Sequence, residues 1–492
     1  MASTKYAEDF VNFVNSSPSP FHAVHSAKNL LEKAGFEHIE EQQSWSSVIK
    51  PGRKYILTRN ASSIVAFAVG KKWRPGSPIG MIGAHTDSCC LRVKPISKKQ
   101  SDGFLQVGVE TYGGGLWHTW FDRDLSIAGR AIIRTKTGAF QQRLVQIKKP
   151  ILRIPTLAVH LDRQESFSFN KESQLFPIAG LAAAELNRRS EDRDYEKLEK
   201  EQSDSNQNYE PLRVPSERHH PYLVELIAKE AEVSASEVVD FEMVLYDTQK
   251  ACIGGLNDEL IFSARLDNLE MSYCSAIGLI ESLGTSLGND STVRLIALFD
   301  HEEIGSTSAQ GAASTLLPAV IKRLCTLETS AEENASAYEE TLSKSFLVSA
   351  DMAHSVHPNY PGKHESDHRP EMNKGTVLKI NANVRYATNS PGIVLIQEMA
   401  RRAKKSSTSP SKAETGVPLQ LFVGRNDTSC GSTIGPMLSA ALGVRTLDLG
   451  NPQLSMHSIR ETGGAHDVEH SIRLFDSFFS NFGEVGQSIQ GD

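Results

Sequence analysis

The stretch Asp300-His301-Glu302-Glu303-Ile304-Gly305 follows directly on the apolar run Val293 to Phe299 and leads into a turn rich in Gly and Ser. The run reads as a buried strand that delivers two adjacent carboxylates to its carboxyl end. In open α/β sheets that edge is where ligands and catalytic groups collect. Neighbouring side chains on extended chain point in different directions, so the glutamates are expected to divide their work: one to hold a metal, the other to move a proton.

Working outward, similar runs recur at Ser345 to Ala350, Leu419 to Val423 and Val444 to Leu449, separated by helix-length segments such as Asn268 to Leu283. This pattern predicts an α/β fold with a largely parallel central sheet and helices on both faces. Upstream, Ala23, Ala27, Leu30, Leu31 and Ala34 recur at helical spacing between Pro20 and the stop signal Gly35. Lys54 to Leu57 and Ser63 to Val69 read as a hairpin, and Pro78 to Ala84 as a strand ending at His85. From Ser97 to Asp247 the texture changes to short β-like runs: Leu105/Val107/Val109, Ala131 to Arg134, Leu144 to Ile147 and Leu157 to His160. The expected organisation is a discontinuous domain, 5–96 with 251–488, interrupted by a β-rich insert at 97–250. Within the insert, Glu185 to His220 is dense in charge and poor in large apolar residues, which predicts a mobile surface loop. Lys404 to Thr415 is Ser/Lys-rich and predicts an exposed loop.

Composition narrows the function. The 492 residues are 39% hydrophobic and 23% charged, an ordinary globular mixture. A formal net charge of −7 offers no basic excess for nucleic acid or an anionic membrane. The start of the chain lacks the apolar core of a secretory signal, so the expected location is the cytoplasm. The six cysteines (89, 90, 252, 274, 325, 430) show no zinc spacing and read as reduced thiols, with Cys89 and Cys90 as buried fillers.

Four features stand at the ends of the α/β runs: Ala84-His85-Thr86-Asp87, Ala264-Arg265-Leu266-Asp267-Asn268, the Glu302-Glu303 pair and Ser349-Ala350-Asp351; Met456-His457-Ser458 is a fifth. Imidazoles and carboxylates without thiolate form a hard N/O ligand set suited to a two-metal hydrolytic centre. A single His-x-Asp is usually only a hydrogen-bonded histidine, and paired glutamates are usually a solvated face. Their convergence at strand ends of one sheet favours the metal reading. Glu302 is the expected general base, with Asp87 orienting His85 from behind; the alternative makes Asp87 the ligand and His85 a core histidine.

The runs Gly83 to Ser88, Ser263 to Asn268, Asp300 to Ser306, Ser349 to His354, Arg425 to Thr428 and Gln453 to Glu461 closely resemble, in order, the aspartyl aminopeptidases, a di-zinc exopeptidase family that includes vacuolar aminopeptidase I. The resemblance spans about Tyr6 to Phe482, and the charged stretch 185–220 is where no match is seen. It implies one zinc at His85 and Asp351, a second at Glu303 and His457, and a bridge at Asp267; manganese or cobalt also suit such ligands. It also implies peptide substrates with N-terminal Asp or Glu, which need a cation. Lys379 and Tyr386 are the residues the resemblance favours, and Arg385 and Arg425 are further candidates; all four also fit as surface pairing partners. His354 follows Asp351 closely and joins the expected substrate site, while His357, His364 and His368 read as loop histidines. Gly431 to Pro436 reads as a turn whose backbone N–H groups face the substrate. The insert would be a dimerisation domain whose His160 reaches a neighbouring subunit's active site, and the assembly a tetrahedral homododecamer. Other readings of the same residues are a neutral aminopeptidase, or a non-catalytic scaffold or cargo protein; vacuolar delivery is the alternative to a cytoplasmic location.

Overall fold

The strand Val293–Phe299 is buried at every position, and its side chains alternate between two apolar layers. Leu295, Ala297 and Phe299 join one layer, with Leu316, Val320, Ile321, Leu324, Ile434 and Leu438. Ile296 and Leu298 join the other, with Leu269, Leu279, Ile472, Phe475 and Phe478. Period-two alternation with both faces apolar is what a sheet covered on both sides demands, and helices form both covers: Leu316–Cys325 and Ile434–Leu442 on one side, Leu266–Ser282 and Ala465–Ser488 on the other. The last two approach closely at Gly278, where an added Cβ would meet Phe475 Cβ at 2.5 Å.

The computed structural model describes residues 5–163, 166–191, 212–284, 287–327, 335–405 and 416–489. The central sheet runs Glu37–His38, Lys54–Arg59, Ser63–Val69, Val293–Phe299, Ile79–His85, Phe346–Ala350, Arg445–Gly450, Thr376–Ile380, Leu419–Val423. Its middle is parallel, while Ser63–Val69 and Thr376–Ile380 join antiparallel to their inner neighbours. Phe299 pairs with His85, and Ser349 with Gly83. Counting on by two sets Asp351 level with His85, so three parallel strands release their chemistry at one edge. A smaller five-stranded sheet, in the order Cys252–Gly254, Leu260–Ser263, Glu461–Gly464, Pro452–Leu454, Ala353–His354, belongs to the same unit.

The chain divides into a unit of 1–88 with 251–492 and a second of 89–250. The second starts earlier than 97 because Cys90–Ser101 is one continuous strand, hydrogen-bonded to Phe104–Tyr112. It carries a six-stranded antiparallel sheet. The run Leu157 to His160 is not a strand; it is exposed and ends in a turn. Of the stretch 185–220, residues 192–211 lie outside the described ones. Its two ends are helical at Ala182–Glu191 and Pro215–Arg218. Arg218 is buried there because its guanidinium donates to Arg213 O, Pro95 O and Asp240 Oδ1, each at 2.9 Å; a charge so satisfied needs no solvent. Residues 406–415 likewise lie outside, leaving only the first two of the expected Ser/Lys loop.

Candidate metal centre

The Glu302-Glu303 pair does not continue the strand. Asp300 and His301 intervene, His301 takes a left-handed φ of 65°, and Glu302–Ile304 forms a single 3₁₀ turn. Successive residues on such a turn still diverge, by about 120°. The turn is fixed from two directions. Asp300 Oδ1 accepts from His301 N at 2.8 Å, and His301 Nδ1 meets Ser308 Oγ at 2.7 Å. The buried Asp87 carboxylate accepts from Glu302 N and Glu303 N, both at 3.1 Å.

His85 ends its strand fully buried. Its Nδ1 donates to the backbone carbonyl of Asp87 at 3.0 Å, with the Asp87 carboxylate at 3.4 Å. Asp87 therefore orients the imidazole chiefly through its main chain and spends its side chain on the glutamate turn. His85 Nε2 faces Asp267 Oδ1 at 3.3 Å, Asp351 Oδ1 at 3.6 Å and Glu302 Oε2 at 3.7 Å. His457 Nε2 faces Glu303 Oε2 at 3.2 Å and Asp267 Oδ2 at 3.4 Å.

These separations test the fit of a metal. Charge-assisted N–H···O bonds are about 2.7–2.9 Å, shorter than any of the five. Ligand atoms sharing a tetrahedral zinc at about 2.0–2.1 Å stand about 3.3 Å apart along an edge. Asp267 Oδ1 is buried without a hydrogen bond, a costly state unless an ion serves it. His85, Asp267 and Asp351 bring one ligand atom each within 4.8 Å of one another. His354, His357, His364 and His368 gather in no such group among the described residues.

Electrostatics agree. Burial, offset in part by His85 and reinforced by Asp351, Glu303 and Asp267, pushes Glu302 up to about 8. Burial and Asp267 push Glu303 up to about 7. Burial opposes a charged His85, yet Glu302, Asp267, Asp351 and Asp87 outweigh it and hold the imidazole well above its ordinary value. Burial would raise Asp267 as well, but His457 and His85 keep it below the carboxylate range. The cluster retains protons because it holds more carboxylate than positive charge, a deficit that divalent cations make good.

The other expected residues divide into two sets. Lys379 is buried; its Nζ donates to Met352 O at 2.9 Å, lies 3.7 Å from Asp351 Oδ2 and stands 5.3 Å from the Tyr386 ring centroid. Tyr386 is buried with Phe422, Val377 and Ala353, and His354 stands 6.0 Å from the Phe422 ring. Arg385 is exposed in a turn, its carbonyl accepting from Ser432 Oγ at 3.2 Å. Arg425 makes a two-point pair with Asp427 at 2.8 and 2.6 Å, which commits its guanidinium. Thr433 caps the helix Ile434–Leu442 at the expected glycine-punctuated turn. His160 lies exposed in the second unit. Cys89 and Cys90 are half-buried rather than the buried fillers expected, and Cys252 is exposed.

Two carboxylates carry roles the sequence did not signal. Asp448 is buried on the strand Arg445–Gly450, where it accepts from Ala387 N at 2.6 Å and from Thr433 Oγ1, tying the Tyr386 turn to the helix start. Glu461 is buried behind Asp267 and His457. Nothing in spacing or periodicity marks either; only the adjacency of Glu461 to the His457 motif was a clue.

The family model described as aminopeptidase I zinc metalloprotease (M18) matches residues 13–479. The chain belongs to this M18 family. This M18 enzyme is a zinc metallo-aminopeptidase, a hydrolase. It is 64% identical to an aspartyl aminopeptidase of Aspergillus oryzae, over 98% of this chain and 97% of that protein. It is 50% identical to aspartyl aminopeptidase 4 of Saccharomyces cerevisiae, over 98% and 96%. Among solved structures, one described as the Ape4 and Nbr1 complex matches at 48% identity and a TM-score of 0.88, over 99% of this chain and 87% of that one. The mApe1 dodecamer of S. cerevisiae matches at 30% and 0.80, over 99% of both. Among the described residues, no helix is long and apolar enough to cross a membrane.

Proposed function

We propose that this M18 enzyme holds two zinc ions, one at His85 and Asp351 and one at Glu303 and His457, with Asp267 shared, and that it releases N-terminal Asp or Glu from peptides. Asp267 carries the metal reading: one of its oxygens faces each imidazole, at 3.3 and 3.4 Å. When bound, the ions would supply Lewis acidity to the scissile carbonyl and to the attacking water.

Glu302 is the proton carrier in this reading. Its carboxylate takes the proton from the water as the C–O bond forms and returns it to the leaving amine as the C–N bond breaks, which closes the proton count. Its backbone, pinned by Asp87, keeps that carboxylate aimed into the site. Glu303 is the more buried of the pair, as a ligand should be.

For the substrate's acidic side chain, burying an unpaired carboxylate costs several kcal/mol. Lys379 is the cation that supports the reading best, since it is buried at the edge of the carboxylate cluster, beside Tyr386 and 3.7 Å from Asp351 Oδ2, whereas Arg425 pairs with Asp427 at the surface. The names of the relatives support the same substrate class. Self-association, up to a dodecamer, is supported by the described mApe1 assembly and by exposed Leu157, Val159 and Leu161 around His160, which favour burial against another copy. His160 would then serve a neighbouring subunit's reaction.

Kinetics on Asp-, Glu- and Leu-aminoacyl substrates test the proposal with Lys379→Met. kcat/KM on Asp and Glu should fall by about 10²-fold or more while Leu hydrolysis holds. An equal fall on all three would remove Lys379 from specificity. Faster hydrolysis of Leu than of Asp by the unmodified enzyme would establish the neutral alternative.

A further inference from the structure

Glu461 begins the strand Glu461–Gly464 and is 3% exposed. Its carboxylate accepts three hydrogen bonds: Oε2 from Asp267 N at 3.2 Å, and Oε1 from His457 N at 3.0 Å and Gln453 Nε2 at 3.3 Å. The first two donors are main-chain groups of residues 190 positions apart in sequence, and neither residue has regular backbone geometry, although Asp267 stands in the first turn of the helix Leu266–Ser282. Asp267 leaves helical geometry at φ −78°, ψ 106°, just after the left-handed Arg265. His457 is itself left-handed, at φ 67°, two residues after the left-handed Ser455. Non-glycine residues hold such conformations only where the surroundings over-determine them.

One carboxylate thus joins the backbone of the shared ligand to that of the more exposed histidine. Asp87 makes the matching grip on Glu302 N and Glu303 N. His85 and Asp351, by contrast, leave strand ends fixed by the sheet register. Glu461 belongs to no group of potential ligand atoms found among the described residues, so its part is indirect.

We propose that Glu461 is a positioning residue that sets the Asp267–His457 separation and thereby the affinity of the Glu303–His457 metal position, leaving the His85–Asp351 position to the sheet. This rests on the two-zinc reading above. The chemistry requires a carboxylate: two oxygens must accept from two different main-chain amides at once. Glutamine keeps the shape but turns an NH₂ towards one of those N–H groups, donor against donor.

The test is zinc titration of the full-length enzyme, and of its Glu461→Gln and Glu461→Ala variants, against a competing chelator, with thermal unfolding followed in parallel. The expected result is two equivalents for the unmodified protein. In Glu461→Gln one equivalent should be unchanged and the other weakened about 10–100-fold, the usual cost of losing a group that orients a ligand. Excess free zinc should restore kcat in Glu461→Gln, with KM little altered; a general loss of packing would not respond to zinc. Unchanged affinity at both positions, or equal weakening of both, overturns the inference while the two-zinc reading stands. Fewer than two equivalents in the unmodified protein overturns that reading, and this inference with it. Should Glu461→Ala fail to fold, the near-isosteric Glu461→Gln decides alone.

Discussion

His85 and Asp351 leave the ends of adjacent parallel strands, whereas Glu303 and His457 stand on turns that depend on left-handed residues. The first pair inherits its separation from sheet register, which cannot slip without carrying a whole buried strand to the wrong face. The second pair has no such guarantee, and two buried carboxylates, Asp87 and Glu461, hold its backbone instead. Exposure differs accordingly: the His85 side chain is 2% exposed and that of His457 33%. One half of the centre is built by the fold and the other is tied to it by hydrogen bonds, so the halves should fail differently.

Removing the strand-borne histidine should do most damage. His85→Ala leaves Asp267, Asp351 and Glu302 crowded and uncompensated, so we expect zinc content below one equivalent and no measurable turnover, checked by metal analysis and kinetics. His457→Ala should keep about one equivalent and lose turnover about 10²–10³-fold, because the better-buried position survives. Equal zinc loss in both variants would break the distinction. Asp87→Asn should be milder, weakening zinc retention about 10–100-fold in chelator competition, since one amide of the glutamate turn loses its acceptor.

The smallest expected effect sharpens the comparison through pH. In the zinc-free protein, Glu302 and Glu303 hold protons up to about 8 and 7, against 4.5 unfolded, and His85 is raised above 6.5. A folded state that binds more protons than the unfolded one loses stability as pH rises. For the glutamates that loss spans about pH 4.5 to 8; for His85 it begins near 6.5. Asp267, whose folded value is depressed, acts oppositely: its stabilisation is present above about 4 and is lost on acidification. The melting temperature of zinc-free protein should therefore fall by a few degrees between pH 5 and 8, while zinc, which replaces those protons, widens the gap between loaded and stripped enzyme. A gap that narrows with pH would contradict the charge deficit.

The same division explains what the sequence made legible. Val293–Phe299 and its parallel neighbours were readable because burial on two faces writes continuous apolar runs, and the strand-end residues His85 and Asp351 came with them. Glu303 and His457 were found as motif residues, but the 3₁₀ turn under the glutamates read as extended chain, because a left-handed His301 has no signature where glycine is absent. Arg218 and Glu461 are illegible in the sequence for one reason: a charged side chain looks solvent-bound in composition, and only the folded chain shows its donors or acceptors met internally. The run Leu157 to His160 alternates like a strand yet makes no ladder, since apolar alternation reports burial against something and does not say against what.

In the proposed division of work, Glu303 binds metal and Glu302 carries the proton. Zinc content and turnover of Glu302→Gln, measured on one preparation, test it most directly. The account predicts two equivalents of zinc, as in the unmodified enzyme, with kcat reduced at least about 10³-fold. Loss of an equivalent of zinc, or turnover that survives the substitution, would contradict it.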